Sequence, residues 1–261
     1  MDAFYLGTHM PQHLASAGVP LFVSHRRLVG RKTLPRAAAE YAIDSGAYTE
    51  LLLHGEWRVS PKTYVADIKR FDSEIGRMAW CAPQDWACES TVLAATGLSV
   101  EEHQRRTVAN FIELQMIWGD ERDCPVMPVL QGFDQSSYLR CMDLYAKAGI
   151  DLKDYPLVGV GSVCRREATA EIDGVISALL RQDPGLPLHT FGAAGGGIAR
   201  YGHKIASADS LSWSYAARRR RPLPGHTHSS CSNCLEYALL WRERVLAKAP
   251  GWQLRRLYTA A

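Results

Sequence analysis

Four residues with an affinity for soft metals crowd one short stretch of this sequence: His226, His228, Cys231 and Cys234, within His226-Thr227-His228-Ser229-Ser230-Cys231-Ser232-Asn233-Cys234. Two imidazoles and two thiolates at this spacing can close a tetrahedral zinc site. The Cys-x-x-Cys corner brings two sulfurs to one ion, and the His-x-His pair flanks it from the preceding loop. A redox dithiol is the competing reading of the two cysteines, but it leaves both histidines unexplained. Four protein ligands leave no open coordination position, so the expected role of Zn2+ is structural. Cys81, Cys88, Cys124, Cys141 and Cys164 stand singly among apolar or helical residues and read as reduced thiols.

Two carboxylates carry a different chemistry. Asp209, in Ser207-Ala208-Asp209-Ser210, follows an apolar run. A carboxylate held at a strand end can attack a sugar carbon, because partial burial raises its ground-state energy while neighbouring donors keep it ionised. The plain alternative is a helix N-cap. Asp44, in Asp44-Ser45-Gly46-Ala47-Tyr48, precedes a glycine that lets the backbone turn tightly against a ligand. Two such groups on one rim can divide the work, one attacking and the other relaying protons. A turn aspartate is the alternative here.

Gln131-Gly132 and Gly159-Val160-Gly161 suit a planar heterocycle, since a side-chain amide offers donor and acceptor together and glycines expose backbone amides. The run Gly192 to Gly197 falls where barrels commonly hold phosphate, yet it has no dinucleotide fingerprint, which excludes NAD. Arg218, Arg219, Arg220 and Arg221 form an uninterrupted basic block kept extended by Pro222 and Pro224. It reads as a phosphate-neutralising loop, or as a solvated surface loop. Trp80, Trp86 and Trp213 can stack on bases or fill core, and His103 and His189 read as solvated or satisfied structural histidines.

Something must position these groups. Eight short β-like runs recur along the chain: Phe4-Leu6, Leu21-Val23, Tyr41-Ile43, Met78-Cys81, Val126-Leu130, Leu157-Val160, Leu188-Phe191 and Ile205-Ala208. Helical patterns lie between most of them. Ser60-Pro61 opens one helix, Ser99 to Glu102 opens another as a capping box, and Ser136-Ala148 and Thr169-Arg181 supply two more. Alternation in this number predicts an α/β fold, a (β/α)8 TIM barrel, with an open doubly wound sheet as the competitor. In a barrel the chemistry lies at the C-terminal strand ends. Asp44, Pro83 to Asp85, Gln131, Gly161-Ser162, Gly192 and Asp209 all fall there.

The 261 residues, 47% hydrophobic and 22% charged, suffice for one such barrel. No stretch approaches the ~18 apolar residues of a membrane span, and Met1 to Gly7 lack a signal-peptide pattern, so a cytoplasmic protein with no membrane partner is expected. A net charge of +3 is too slight to indicate nucleic acid by itself.

Taken in order, Asp44-Ser45-Gly46-Ala47-Tyr48, Gln131-Gly132, Gly159-Val160-Gly161, Asp209 and the metal loop resemble the motifs of tRNA-guanine transglycosylases. Those are zinc-containing (β/α)8 barrels that exchange guanine for a 7-deazaguanine base. His226-x-His228-x-x-Cys231 has the spacing of that family's Cys-x-Cys-x-x-Cys, with Cys234 in place of its distant histidine. The family's second Gly, Phe and Gln of the first motif are here Ala47, Tyr48 and Thr49, and the chain is much shorter than the tRNA enzymes. With Ala82 to Trp86, Gly161 to Arg166 and Ser207 to Ser214, these departures are most similar to the DNA-modifying branch of bacteriophages and bacterial gene clusters.

The resemblance implies one barrel domain over residues 1–261 with a zinc-binding subregion at 222–247 and a C-terminal helix. It implies Asp209 as nucleophile at C1′ and Asp44 as general acid/base, with Ser45, Gly46, Asp85, Gln131, Gly159 and Gly161 around the purine. The implied partners are DNA, ahead of tRNA, and a 7-deazaguanine such as a preQ0-like base; a homodimer is compatible with it. A zinc-dependent deaminase is the rival from His54-Gly55-Glu56, but the cysteine pair lacks the preceding proline and lies far downstream. A non-catalytic, zinc-stabilised nucleic-acid-binding partner is the other.

Overall fold

The computed structural model describes residues 1–119 and 124–249. Its eight strands are β1 (Ala3–Thr8), β2 (Leu21–Ser24), β3 (Tyr41–Asp44), β4 (Met78–Cys81), β5 (Val129–Leu130), β6 (Val158–Val160), β7 (Leu188–Thr190) and β8 (Ser207–Ser210). All the pairings are parallel, in the order β4-β3-β2-β1-β8-β7-β6-β5. Cys81, the last residue of β4, and Val126, three residues before β5, form an isolated parallel bridge, with Cys81 N–H donating to Pro125 O at 2.8 Å and Met127 N–H donating to Cys81 O at 3.0 Å. The curled sheet thereby meets itself, and the fold is the (β/α)8 barrel.

Ten helices follow in chain order: α1 (His25–Leu28), α2 (Ala47–His54), α3 (Pro61–Ile75), α4 (Ser90–Thr96), α5 (Val100–Trp118), α6 (Gln135–Lys147), α7 (Ala170–Gln182), α8 (Gly195–Tyr201), α9 (Ser212–Ala217) and α10 (Leu235–Leu246), counted among the described residues. The helix starts follow local chemistry. Ser60 Oγ accepts from Thr63 N–H at 3.2 Å with Pro61 in the first turn, and Gly76 ends α3 at φ 69°. Along that helix Tyr64, Ile68, Phe71 and Ile75 recur at helical spacing and are buried against the sheet. At α5 the Ser99 cap forms, but the carboxylate of Glu102 turns to Arg105 and Arg106 rather than back to the cap. The expected capping box is therefore only half made there, whereas Asp134 and Ser137 complete one on α6.

Period-two alternation sorts each strand into two faces. Phe4, Leu6, Leu21, Val23, Tyr41 and Ile43 point outward into the main core beneath the helices. Tyr5, Phe22, Ala42, Trp80, Met127 and Leu157 point inward and fill the barrel floor. Asp44 lies two residues after inward-facing Ala42, so the same alternation turns it into the barrel, one layer higher. The last strand starts two residues later than the sequence pattern suggests. Ile205 and Ala206 precede it, and Asp209 is a strand residue paired with Tyr5 rather than a residue beyond the end.

Candidate active site and metal centre

A cavity of about 820 Å³ opens over the C-terminal ends of the strands and is lined by Asp44, Ser45, Asp85, Gln131, Gly161 and Asp209 among others. Side chains separated by as much as the length from β3 to β8 thus face one space. Asp44 accepts from Gly46 N–H at 3.1 Å, a turn that places Gly46 at φ 82°. Burial pushes the Asp44 carboxyl above its ordinary range, the Gly46 hydrogen bond opposes this, and the negative charge of Asp209 adds to the rise. Both carboxylates line the same cavity.

Asp85 comes from the loop after β4. Its Oδ1 accepts from Ser45 Oγ at 3.0 Å and its Oδ2 from Gln131 Nε2 at 2.5 Å. Burial pushes its carboxyl up to about 7, with the Ser45 and Gln131 hydrogen bonds opposing and the charge of Asp44 assisting. A carboxyl titrating near neutrality in a cavity can either accept or donate a hydrogen bond at working pH. Gly161 makes the Asp85–Gln131 pair possible, since a Cβ there would stand 2.3 Å from Gln131 Nε2.

Asp209 sits on β8 with its Oδ1 accepting from Gly192 N–H at 3.0 Å and lying 3.3 Å from His189 Nε2. It is only 5% exposed, and that exposure is to the cavity. Among the described residues no group is shown on Oδ2, so one oxygen is held and the other is free to meet a ligand.

The second cluster lies between α9 and α10. One ligand atom from each of His226, His228, Cys231 and Cys234 falls within 4.8 Å of all the others. His226 Nδ1 and His228 Nε2 are 3.2 Å apart, His228 Nε2 is 3.0 Å from Cys231 Sγ, and His226 Nδ1 is 3.8 and 3.7 Å from the Cys231 and Cys234 sulfurs. A tetrahedral site with ordinary zinc bond lengths would space two nitrogens by about 3.3 Å and a nitrogen and a sulfur by about 3.6 Å. The four side chains fit a metal ion. Glu236 Oε2 lies 3.0 Å from the remaining His226 nitrogen and would fix that ring's orientation, as carboxylates do around metal-bound histidines.

The family model for DpdA, DeoxyPurine in DNA protein A, matches residues 1–260. The chain belongs to the DpdA family. None of the curated proteins matches it. Membership makes this chain a DNA-modifying transglycosylase of the tRNA-guanine transglycosylase superfamily, with DNA as substrate and a deazapurine as the base. No helix among the described residues is long and apolar enough to cross a membrane.

Several residues of this DpdA chain stand where the sequence reading does not put them. Gly159 does not itself line the cavity; a Cβ there would lie 2.6 Å from the Phe191 ring, so the glycine makes room for that ring in the cavity wall. Gly46 likewise shapes the turn rather than lining the site. The run Gly192 to Gly197 does not present an open phosphate position. Gly192 N–H is committed to Asp209, and the Glu167 carboxylate already accepts from Gly197 N–H. Trp80, Trp86 and Trp213 are all buried, with Trp213 Nε1 donating to Gly7 O at 2.7 Å, so none offers a free face to a base. Of the two readings of His103, the satisfied structural one holds: it is fully buried and bonded to Thr96 and Ala87. Arg218 to Arg221 are exposed beyond α9.

Glu89 carries no sequence signal of its own, yet it lines the cavity, and Ser162, at the strand end the sequence marks, has the left-handed φ of 56° and lies 2.9 Å from Glu89 Oε2 and 2.6 Å from Gln131 Oε1. Ser162 Oγ also accepts from Cys88 N–H at 2.7 Å. The hydroxyl has one hydrogen, so it serves either Glu89 or Gln131. Trp57 contributes its Nε1 to the Asp85 carbonyl at 3.1 Å. At the rim, Arg165 stacks on and hydrogen-bonds to Tyr48, while Arg26 pairs with Glu50.

Proposed function

We propose that this chain exchanges guanine in DNA for a 7-deazaguanine derivative, a preQ0-like base, through a covalent ester between Asp209 and the deoxyribose. The observation that carries the reading is the meeting of Asp44, Asp85 and Asp209 in one cavity, with Asp85 held by Ser45 and Gln131. The target guanosine leaves the stack and its purine enters the barrel mouth. Asp209 Oδ2 bonds to C1′ as the bond from C1′ to N9 breaks, and N9 takes the electron pair, as in the first step of a retaining glycosidase.

Asp44 has the raised affinity for a proton that suits a general acid. It gives that proton to departing guanine and takes one from the incoming 7-deazaguanine, whose nitrogen then displaces Asp209 from C1′. One N-glycosidic bond replaces another, so the exchange balances without ATP or redox change. Asp85 and Gln131 face the edge of the purine, where the N1–H and N2 amino donors of guanine match an ionised carboxylate. Gly161 leaves room for that contact, and Ser45 and Gly46 shape the turn behind it.

His226, His228, Cys231 and Cys234 would hold zinc, which would supply a structural cross-link between α9 and α10 and no open position for substrate. One barrel domain is proposed for 1–261, of which 120–123 and 250–261 lie outside the described residues, with 222–247 as its metal-binding subregion. The second substrate reading, tRNA, rests on the shared superfamily motifs. Incorporation of labelled base into duplex DNA and into tRNA by the purified chain compares the two directly. Asp209→Asn should abolish guanine exchange while leaving the thermal transition in place; exchange at the wild-type rate would end the proposal.

A further inference from the structure

Beneath Asp209 the residues Ser207, His189 and Asp209 form a line. Ser207 Oγ lies 2.8 Å from His189 Nδ1, and His189 Nε2 lies 3.3 Å from Asp209 Oδ1. The composition invites comparison with a serine hydrolase, but the orientation is reversed. Ser207 and His189 are buried and absent from the cavity wall, while the carboxylate is the member that faces the cavity. In a hydrolase the serine meets substrate and the aspartate is the buried support. Here the support runs the other way.

The hydrogen positions follow from donor and acceptor chemistry. An ionised carboxylate only accepts, so His189 Nε2 must carry a hydrogen to bond Asp209 Oδ1. The Ser207 hydroxyl then donates to Nδ1, which fixes the tautomer. His189 cannot tilt away, because Trp80 and Phe191 stand edge-on to it at centroid distances of 4.6 and 4.8 Å, with Phe22 at 5.9 Å. Gly192 N–H supplies the second donor to the same oxygen at 3.0 Å.

We propose that His189, oriented by Ser207, is a positioning residue for the exchange: with the Gly192 amide it pins Oδ1 of Asp209 so that Oδ2 alone attacks C1′. This rests on the reading of Asp209 as nucleophile. When the ester forms, Oδ2 bonds to C1′, N9 leaves with its electron pair, and Oδ1 becomes the ester carbonyl oxygen. When the second base attacks, the bond from C1′ to Oδ2 breaks and its electron pair returns to the carboxylate. The charge then spreads onto Oδ1, where two N–H donors already wait. These donors act on charge that changes during the reaction, so their effect belongs in kcat rather than in KM.

The test compares Asp209→Asn, His189→Gln and His189→Asn, using exchange of labelled guanine into a guanine-containing DNA oligonucleotide and trapping of the protein–DNA ester on denaturing gels. A glutamine amide reaches the place of Nε2; an asparagine amide does not. His189→Gln should keep kcat within about tenfold of wild type, and His189→Asn should lose about 10²-fold in kcat with KM within about twofold, the scale of one lost preorganised donor. Equal kcat in the two variants, or a loss confined to KM, overturns the proposal. Ser207→Ala removes one oxygen and leaves the ring in place, so it carries the test if the His189 variants do not fold. A drop in its kcat at constant KM supports the proposal, and an unchanged kcat overturns it. Ester formation by Asp209→Asn would instead overturn the nucleophile assignment itself, which separates the two failures.

Discussion

Asp85 concentrates the tension between stability and chemistry. Its carboxyl is held near 7 in the folded protein against an ordinary value near 4, chiefly by burial. A group whose folded-state value is raised contributes stability that is complete below the unfolded value and is lost as pH rises through the folded one. The window is therefore about pH 4 to 7, and three units would amount to about 4 kcal/mol as an upper bound. Asp85→Asn cannot ionise; it keeps one oxygen for Ser45, and its NH2 pairs with Gln131 once that amide turns to present its oxygen. Its thermal transition should match wild type only at about pH 4 and below, and exceed it at pH 8 by several degrees, since 1 kcal/mol moves Tm by roughly 2–4 °C at this size. Parallel Tm curves for the two proteins would refute the assignment. Guanine's donors would offset this cost in the wild type only, so exchange should be lost in the same variant. The position of Asp85 was legible because it follows the end of a strand run by four residues, where a barrel gathers its chemistry. The roles of Glu89 and His189 were not, because they depend on which strand lies beside which, and no short motif records that.

At the scale of elements, the metal loop is tied to the catalytic wall by more than its cysteines. Asn233, inside the Cys-x-x-Cys turn, approaches His9 Nε2 at 2.6 Å, and His9 stacks on Trp213, which bonds the Gly7 carbonyl of β1. Ser214 of α9 donates to Ser232 O at 2.8 Å, and Cys234 Sγ caps α10 by accepting from Tyr237 N–H at 3.5 Å. Purified protein should carry about one zinc per chain. Cys231→Ala/Cys234→Ala should lose it and lower Tm by more than about 10 °C, because structural zinc couples directly to folding. A metal-free wild type of unchanged Tm would remove the metal from the account. All eight strand runs were legible because each is a short apolar stretch followed by turn residues, as in Tyr41-Ala42-Ile43 before Asp44-Ser45-Gly46. Strand ends were less so: β8 is displaced by two residues because Ser207 and Asp209 face inward although neither is apolar. The glycine run misled for a related reason. Its phosphate-like place is taken by Glu167, a partner 30 residues away that only the packing of α8 reveals.

The whole molecule sets a geometric demand on its substrate. Asp209 is 5% and Asp85 8% exposed, both within a cavity ringed by the strand ends, so a base stacked in a duplex cannot reach either. The nucleotide must leave the helix first, at a cost of a few kcal/mol that falls when the base is mispaired or already unpaired. That cost is charged before any contact with Asp85 forms, and it does not depend on the chemistry at C1′. Guanine exchange should therefore run faster on a G·T mismatch, or on guanine in a single-stranded loop, than on the same guanine paired with cytosine in duplex DNA. Each 1.4 kcal/mol removed from the flipping cost is worth about tenfold in kcat/KM while kcat at saturation stays nearly constant. The ester at Asp209 should trap in the same order across these substrates. If paired and mispaired guanines react with equal kcat/KM, the base is not drawn into the cavity at a cost, and the three carboxylates of the barrel mouth would need another substrate.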